Sequence, residues 1–279
     1  MNVDALKTLV AIVETGSLVK ASQRLNVTQS TVTARLKTLE EELGQPLIRR
    51  QKTGAELTTS GVKFKRYADV MLGLWQQARQ EVSLPTGVNS LCNIGCSHDL
   101  WHGLGKNLLH LIRLRQPDMA ASAWPGDQTE LDRWLGTGLV DLAISYQPTT
   151  HLNQRIYPLK SERLLLVSNR PNSPARFDPS YVYVEHGENF AQKHAAAYAD
   201  ADTAKLSFGS VVWALDHVLT HQGSAYLPER LVQPYLDQGR LYLVDGAPEF
   251  ARKVYLIANE NVTACWEWLP DLIIELEQS

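Results

Sequence analysis

Apolar residues in the first third of the chain recur at helical spacing and are broken by blocks of turn formers. Val3, Leu6, Leu9, Val10 and Val13 give an inner side to a first helix over residues 3–15. Ser17 is a good N-cap for a short second helix carrying Leu18, Ala21 and Leu25. Asn26-Val27 reads as a turn, and Thr28 caps a longer helix whose stripe is Val32, Leu36, Leu39 and Leu43. Residues 47–50 and 56–57 then bracket Lys52-Thr53-Gly54-Ala55, a hairpin whose glycine accepts the turn geometry. Thr58 caps a long helix over about 59–82. Its Phe64, Ala68, Met71, Trp75, Ala78 and Val82 step by four and three residues alternately, a seam that suits pairing with a second helix or packing on the protein's own body. Leu84-Pro85-Thr86-Gly87 ends this helix and forms a hinge.

From Val88 the pattern changes to short apolar runs alternating with helical segments, the sign of an α/β sheet. Strands are predicted at 91–95, 120–124, 139–145, 163–168, 181–185, 205–208, 224–227, 241–244 and 253–258. Helices are predicted near 99–115, 127–137, 189–200, 211–221, 229–238 and 262–277. Residues 169–179, with Pro171, Pro174 and Pro179, read as an irregular loop.

The helix-turn-helix pattern carries the first chemistry. Gln29, Ser30, Thr31, Thr33 and Arg35 lie near the start of the third helix and off its apolar stripe, where side chains read base edges in a major groove. Arg35 or Lys37 taken alone would suit a solvated face; the cap, turn and periodicity together point to a DNA reader. Arg49, Arg50 and Lys52 on the hairpin suit phosphate or minor-groove contact, which positions a protein more than it specifies sequence.

Charge sharpens this division. Of 27 Lys+Arg and 30 Asp+Glu, residues 1–66 hold 11 and 6, which leaves 16 and 24 for the remainder. A basic head on an acidic body fits a phosphate-contacting module joined to a body that stays off DNA. Cys92, Cys96 and Cys265 are too few for a secreted disulfide framework. Asp4, Lys7 and Glu14 interrupt the first apolar pattern, so no signal peptide is expected, and no stretch approaches a membrane span. A cytoplasmic protein with no membrane association is the expectation.

Residues 1–66 resemble the winged helix-turn-helix of LysR-type transcriptional regulators. The resemblance runs through Leu6, Val10, Ala21-Ser22, Leu25, Asn26-Val27-Thr28-Gln29-Ser30, Leu39-Glu40 and Leu43-Gly44, then Pro46-Leu47, Arg50, Leu57-Thr58 and Gly61. Many members have Pro where Ser30 stands, and Arg-Gln where this chain has Ala34-Arg35. The body resembles the effector domain of the same family. It does so through Asn93-Ile94-Gly95, Leu108-Leu109, Gln116-Pro117 and Gly126, the run of residues 135–144, and Gly223, Leu227-Pro228, Leu231-Val232 and Gly239-Arg240-Leu241. Residues 183–190 with His194 are similar to the HdfR-type branch.

The resemblance implies an α/β fold class with three parts. These are a mostly helical winged helix-turn-helix over 1–58, a linker and dimerisation helix with its hinge over 59–86, and a two-lobed effector domain of the periplasmic-binding-protein type over 87–279. Lobe I would span about 87–160 and 254–279, and lobe II about 161–253. Double-stranded operator DNA and a small-molecule effector are the implied partners, in a homodimer or homotetramer paired through Phe64, Met71 and Trp75.

In open α/β sheets a ligand binds beyond the carboxyl ends of the strands. Those ends supply Cys96-Ser97-His98, Gly126-Asp127-Gln128, Tyr146-Gln147, Glu185-His186 and Ser210, of which Ser97, His98, Gly126, Glu185, His186 and Ser210 are the expected effector contacts. Trp101, Trp124 and Trp213 are candidate aromatic walls that also suit the core. Ser97 and His98 open the helix expected over 99–115, whose free N–H groups and dipole favour an anion. That position commonly takes a carboxylate-bearing metabolite in the resembled family. No catalytic residue, metal or cofactor is expected. His194, Asp216, His217 and Ser210 assemble a triad only on paper, since no serine sits in a nucleophile elbow, and His217 with His221 lacks a metalloprotease glutamate. Cys92 reads as core and at most as a weak redox sensor. The alternative is a metabolite-binding or enzymatic α/β protein whose DNA-binding head is secondary.

Overall fold

Helices α1 (Val3–Thr15), α2 (Leu18–Arg24) and α3 (Gln29–Leu43) form over the stretches of regular apolar spacing. The computed structural model describes residues 2–51, 54–148, 153–199 and 204–278, apart from the side chains of Arg50 and Gln77. It falls into two units, one built mainly from Met1–Thr86 and one from Gly87–Leu135 with Val140–Ser279.

In the first unit, Leu6, Leu9, Ile12, Val32, Leu36, Leu39 and Leu47 make one buried core. The turn between α2 and α3 holds Asn26 at φ 53, a left-handed conformation that asparagine tolerates. Thr28 Oγ1 accepts from the Thr31 amide at 3.2 Å, which caps α3. Strands β1 (Ile48–Gln51) and β2 (Gly54–Leu57) form the antiparallel wing. Glu40 Oε1 accepts from the amides of Leu47 and Ile48 and ties the wing to α3. Gly61 is required by close approach, because a Cβ there would lie 2.1 Å from the Leu47 carbonyl oxygen.

Helix α4 (Thr59–Val82) corrects the expected pairing seam. Phe64, Ala68, Met71 and Leu72 pack on the core of α1–α3 and the wing, so Phe64 and Met71 are turned toward the protein's own head. Tyr67, Val70, Leu74 and Trp75 are exposed on the other side. Two apolar stripes run along one helix, and spacing alone does not say which of them its own core covers.

The second unit is built on one nine-stranded sheet among the described residues. Its strands are β3 (Ser90–Ser97), β4 (Met119–Gly126), β5 (Leu142–Ser145), β6 (Gln154–Ser168), β7 (Tyr181–Val184), β8 (Leu206–Phe208), β9 (Ser224–Pro228), β10 (Tyr242–Leu243) and β11 (Phe250–Asn259). The order is β4-β3-β5-β11-β6-β9-β7-β8, with β10 on β6. Strands β4, β3 and β5 run parallel in one lobe, as do β8, β7 and β9 in the other. The antiparallel pair β6–β11 belongs to both lobes, from Phe250 opposite Leu164 to Asn259 opposite Gln154, with a bulge between Arg252 and Val254. The first half of β6 was not expected as strand. Pro158 and a mostly polar run conceal it, and β11 holds it by backbone pairing.

Helices α5 (Lys106–Arg115), α6 (Gln128–Thr137), α7 (Glu188–Ala197), α8 (Val211–Thr220), α9 (Glu229–Asp237), α10 (Glu260–Thr263) and α11 (Leu269–Gln278) cover the sheet. Ile94, Leu108, Ile112, Leu142, Leu256 and Leu272 lie in the core of the first lobe; Val167, Val184, Val211, Val218 and Leu227 lie in that of the second. Two expected helices are broken. The one over 99–115 begins as a three-residue turn, His98–Leu100, and passes through a kink at His102 and Gly103 before α5. The last is split into α10 and α11 by a turn carrying the stacked rings of Trp266 and Trp268.

Candidate functional site

The outward face of α3 is made by residues opposite Val32, Leu36 and Leu39. Gln29, Ser30, Ala34 and Lys37 are exposed there, with Thr33 half-buried beside them. Thr31 is partly committed to the cap, since its hydroxyl lies 2.8 Å from that of Thr28. Arg35 stands differently from its expected place among the base readers. Its Nη2 donates to Asp4 Oδ2 of α1 at 2.9 Å, and the side chain is 27% exposed. The guanidinium therefore lies on the flank of α3 against α1. Arg49 is exposed on the wing, opposite Glu56. The Arg50 side chain and Lys52 lie outside the described residues.

In the second unit, β3, β4 and β5 bring their carboxyl ends to one cleft of about 500 Å³. Ser97, His98 and Asp99 come from the end of β3, Gly126, Asp127 and Gln128 from the end of β4, and Ser145, Tyr146 and Gln147 from β5. The facing lobe adds Gly209, Ser210 and Trp213 at the start of α8, and the shared strand β11 adds Arg252. Trp213 is 69% exposed and forms an open aromatic edge. Gly126 leaves room for the Trp134 ring, since a Cβ there would lie 2.7 Å from it.

Polar contacts hold the cleft in shape. Asp99 Oδ1 accepts from the Val211 amide at 3.1 Å and from Ser210 Oγ at 3.3 Å, so one lobe caps the first turn of α8 in the other. Arg230 donates from Nη2 to the Asp99 carbonyl at 2.6 Å, from Nη1 to the His102 carbonyl and from Nε to Glu162. Glu162 also accepts from the Tyr146 hydroxyl at 2.9 Å. Burial and the Glu162 charge push the Tyr146 hydroxyl well above the usual phenol range, so it stays a donor. Asp127 and Glu130 cap α6 reciprocally.

Residues 3–62 match the family described as bacterial regulatory helix-turn-helix protein, lysR family, and residues 86–271 match the LysR substrate binding domain. The chain belongs to the LysR family. The HTH-type transcriptional regulator HdfR of Salmonella schwarzengrund (strain CVM19633) is 27% identical over 264 residues, covering 94% of this chain and 93% of that protein. ArgP from Mycobacterium tuberculosis has the same fold, with TM-score 0.66, 22% identity and coverage of 99% and 97%. So does DarR from Vibrio fischeri, solved in complex with DNA, with TM-score 0.58, 17% identity and coverage of 99% and 98%. The chain is thus a LysR-family transcriptional regulator with a DNA-binding and an effector-binding domain, not an enzyme, and LysR regulators act as oligomers. No helix among the described residues is long and apolar enough to cross a membrane.

Four of the six residues expected in the LysR effector site meet at the cleft: Ser97, His98, Gly126 and Ser210. Glu185 and His186 do not line it. Glu185 is exposed and accepts from the Gly187 amide at 2.8 Å. His186 is buried, 2.9 Å from the Tyr226 carbonyl through Nε2 and edge-on to Phe190. Burial lowers its pKa to about 4, with smaller contributions from Arg252 and His194, so the ring is neutral. The expected anion site at the start of the 99–115 helix is also corrected, because the kink at His102–Gly103 interrupts the aligned peptide dipoles. The paper triad is dispersed: His194 lies 2.8 Å from the Tyr181 hydroxyl, and His217 stacks on His221. Burial raises the thiol pKa of Cys96 to about 12 and that of Cys92 well above its usual value, which leaves both in the unreactive form.

Asp99 and Arg252 were missed as cleft residues, whereas Tyr146 and Gln147, expected as strand-end residues, and Trp213, expected as an aromatic wall, do line it. A signal existed for Arg252: it falls at period two between the buried Phe250 and Val254, a charge on an inward face. Asn93 and Asp141, both in the resemblance, are structural, since the buried Asp141 carboxylate accepts from the Asn93 amide at 2.7 Å.

Proposed function

We propose that this LysR regulator reads a two-fold operator through two copies of α3 and tunes that binding by an organic anion held in the cleft. Domain limits of 1–58, 59–86 and 87–279 fit this division, with lobes of about 87–160 plus 254–279 and 161–253. Gln29, Ser30 and Thr33 meet base edges, joined by Lys37, while Arg49 and Arg50 contact the backbone. Two heads are brought together by the uncovered stripe of α4, Tyr67, Val70, Leu74 and Trp75, as a homodimer or a pair of dimers. Effector contacts are Ser97, His98, Gly126 and Ser210, with Gln147 and Arg252. The protein works in the cytoplasm, where its DNA is.

The observation that carries this reading is the convergence of three parallel strand ends and the start of α8 on one cleft in a chain that also bears an exposed recognition face. A thermal-shift screen of cytoplasmic metabolites against the full chain tests it, followed by operator footprinting with and without each hit. Organic anions should raise the melting midpoint and alter the footprint. Hits that leave the footprint unchanged would separate ligand binding from DNA control and overturn the reading.

A further inference from the structure

Three places around the cleft offer an anion a positive field, and two of them are spent. The turn at His98–Leu100 is too short to sum a dipole and runs into a kink. The start of α8 is filled by the protein's own Asp99 carboxylate, which takes the Val211 amide and the Ser210 hydroxyl. The third is Arg252 on β11. Its guanidinium carbon lies 3.2 Å from the centre of the Tyr146 ring, which fixes the plane of the fork. Its cross-strand neighbour is Glu162, yet the two oxygens of Glu162 go to Tyr146 and to Arg230. Arg252 Nη1 is left buried with no hydrogen-bond partner among the described residues. Native interiors seldom leave a charged donor in that condition unless something outside the chain completes it. The nearby His186 does not complete it, since its Nδ1 is likewise buried without a partner.

We infer that Arg252 is the carboxylate receptor of the cleft, gripping one end of a small organic acid whose other polar groups meet Ser97 and Gln147 across the pocket, an assignment that rests on this cleft being the effector site. A planar guanidinium held by ring stacking presents two parallel N–H bonds to a carboxylate, a geometry that an amide or an alcohol does not match. Selectivity among metabolites then begins with the acid group. The Asp99 cap adds to it, since a second carboxylate at the start of α8 would meet a like charge.

Acetate is the probe, with acetamide as its neutral isostere at matched ionic strength, added to the full-length protein and read by the melting midpoint. Acetate but not acetamide should stabilise the wild type. Arg252→Gln should weaken the acetate response by about 10- to 100-fold, the consequence of losing hydrogen bonds to a charged group. Arg252→Lys keeps the charge without the fork and should fall between them. An acetate response unchanged in Arg252→Gln but reduced in Ser97→Ala would remove Arg252 and leave the effector cleft standing. A wild type that treats acetate and acetamide alike would overturn the anion reading and the receptor with it. Should Arg252→Gln not fold, an undiminished acetate response in Arg252→Lys overturns the receptor.

Discussion

Leu74→Glu and Met71→Glu separate the two faces of α4. Leu74 is 52% exposed in one copy, so a facing helix has about half a leucine side chain to cover. Complete burial of a leucine is worth about 1.5–3 kcal/mol, which leaves roughly 0.8–1.5 kcal/mol here. A two-fold axis repeats the contact, for roughly 1.5–3 kcal/mol per dimer. A carboxylate in that place must also lose water without gaining a partner, which adds to the loss. Leu74→Glu should therefore raise the dimer dissociation constant by about 10- to 100-fold or more. Sedimentation equilibrium across nanomolar to micromolar protein reads this directly, and hydrogen exchange over α1–α3 should stay unchanged. Met71→Glu should do the reverse. It puts a charge beside the buried Ala68 and the core of the head, so exchange over α1–α4 should rise before the dimer is affected. If Met71→Glu dissociated the dimer with its head intact while Leu74→Glu remained dimeric, the faces assigned to α4 would have to be exchanged.

Arg35→Ala should reduce affinity by only a few-fold, and alike on an operator selected by binding enrichment and on random DNA, because Asp4 holds the guanidinium at rest; a loss of about tenfold or more confined to the operator would mean that Arg35 leaves Asp4 to read a base. Asp4→Asn should strengthen binding to both DNAs and steepen the salt dependence by about one counterion, as measured by anisotropy between low and moderate salt. Gly61→Ala should lower the melting midpoint of the head by an amount corresponding to about 1–3 kcal/mol or more, since the new methyl meets the Leu47 carbonyl; an unchanged melt would mean that the wing moves aside freely. His186 is held neutral down to about pH 4 in the folded protein, against about 6.5 when exposed. As pH falls through that window the unfolded chain takes a proton that the folded one refuses, so stability is lost on acidification, on the order of 3 kcal/mol in all. Thermal melts from pH 7 to 4 should show this loss, and His186→Gln should flatten it; parallel curves would place the acid sensitivity elsewhere.

Local spacing revealed the head because its core is local: Leu6, Leu9, Val32, Leu36 and Leu39 repeat at the helical period and pack on one another. The same signal was ambiguous along α4, where Phe64, Ala68 and Met71 form one stripe and Tyr67, Val70 and Leu74 another. Arg35 was misplaced for a different reason. The carboxylate that holds it lies 31 residues upstream, and periodicity contains no term for such a pair. Ser97, Gly126 and Ser210 were legible as strand-end and helix-start residues, while Glu185 and His186 share that sequence position without sharing the cleft. What turns them aside is tertiary: the Phe190 ring and the Tyr226 carbonyl draw His186 into a core that forms only after β7, α7 and β9 have come together.

The shared pair of strands also sets the order in which the effector domain can be finished on the ribosome. Lobe I begins with β3, β4 and β5, but the strand that closes its sheet, β11, starts at Phe250, and α11, which covers its core, ends at Gln278. Between Ser145 and Phe250 the whole of the second lobe is delivered, an interval of roughly 5–20 s at ordinary elongation rates. Throughout it Ile94, Leu142 and Ile144 lack Leu256, Leu269 and Leu272, the partners that bury them in the finished domain. The later-made lobe is thus in a position to consolidate before the earlier one. A nascent chain stalled just short of Phe250 presents an unclosed parallel sheet edge at β5, the surface that a chaperone would have to guard until the last thirty residues emerge.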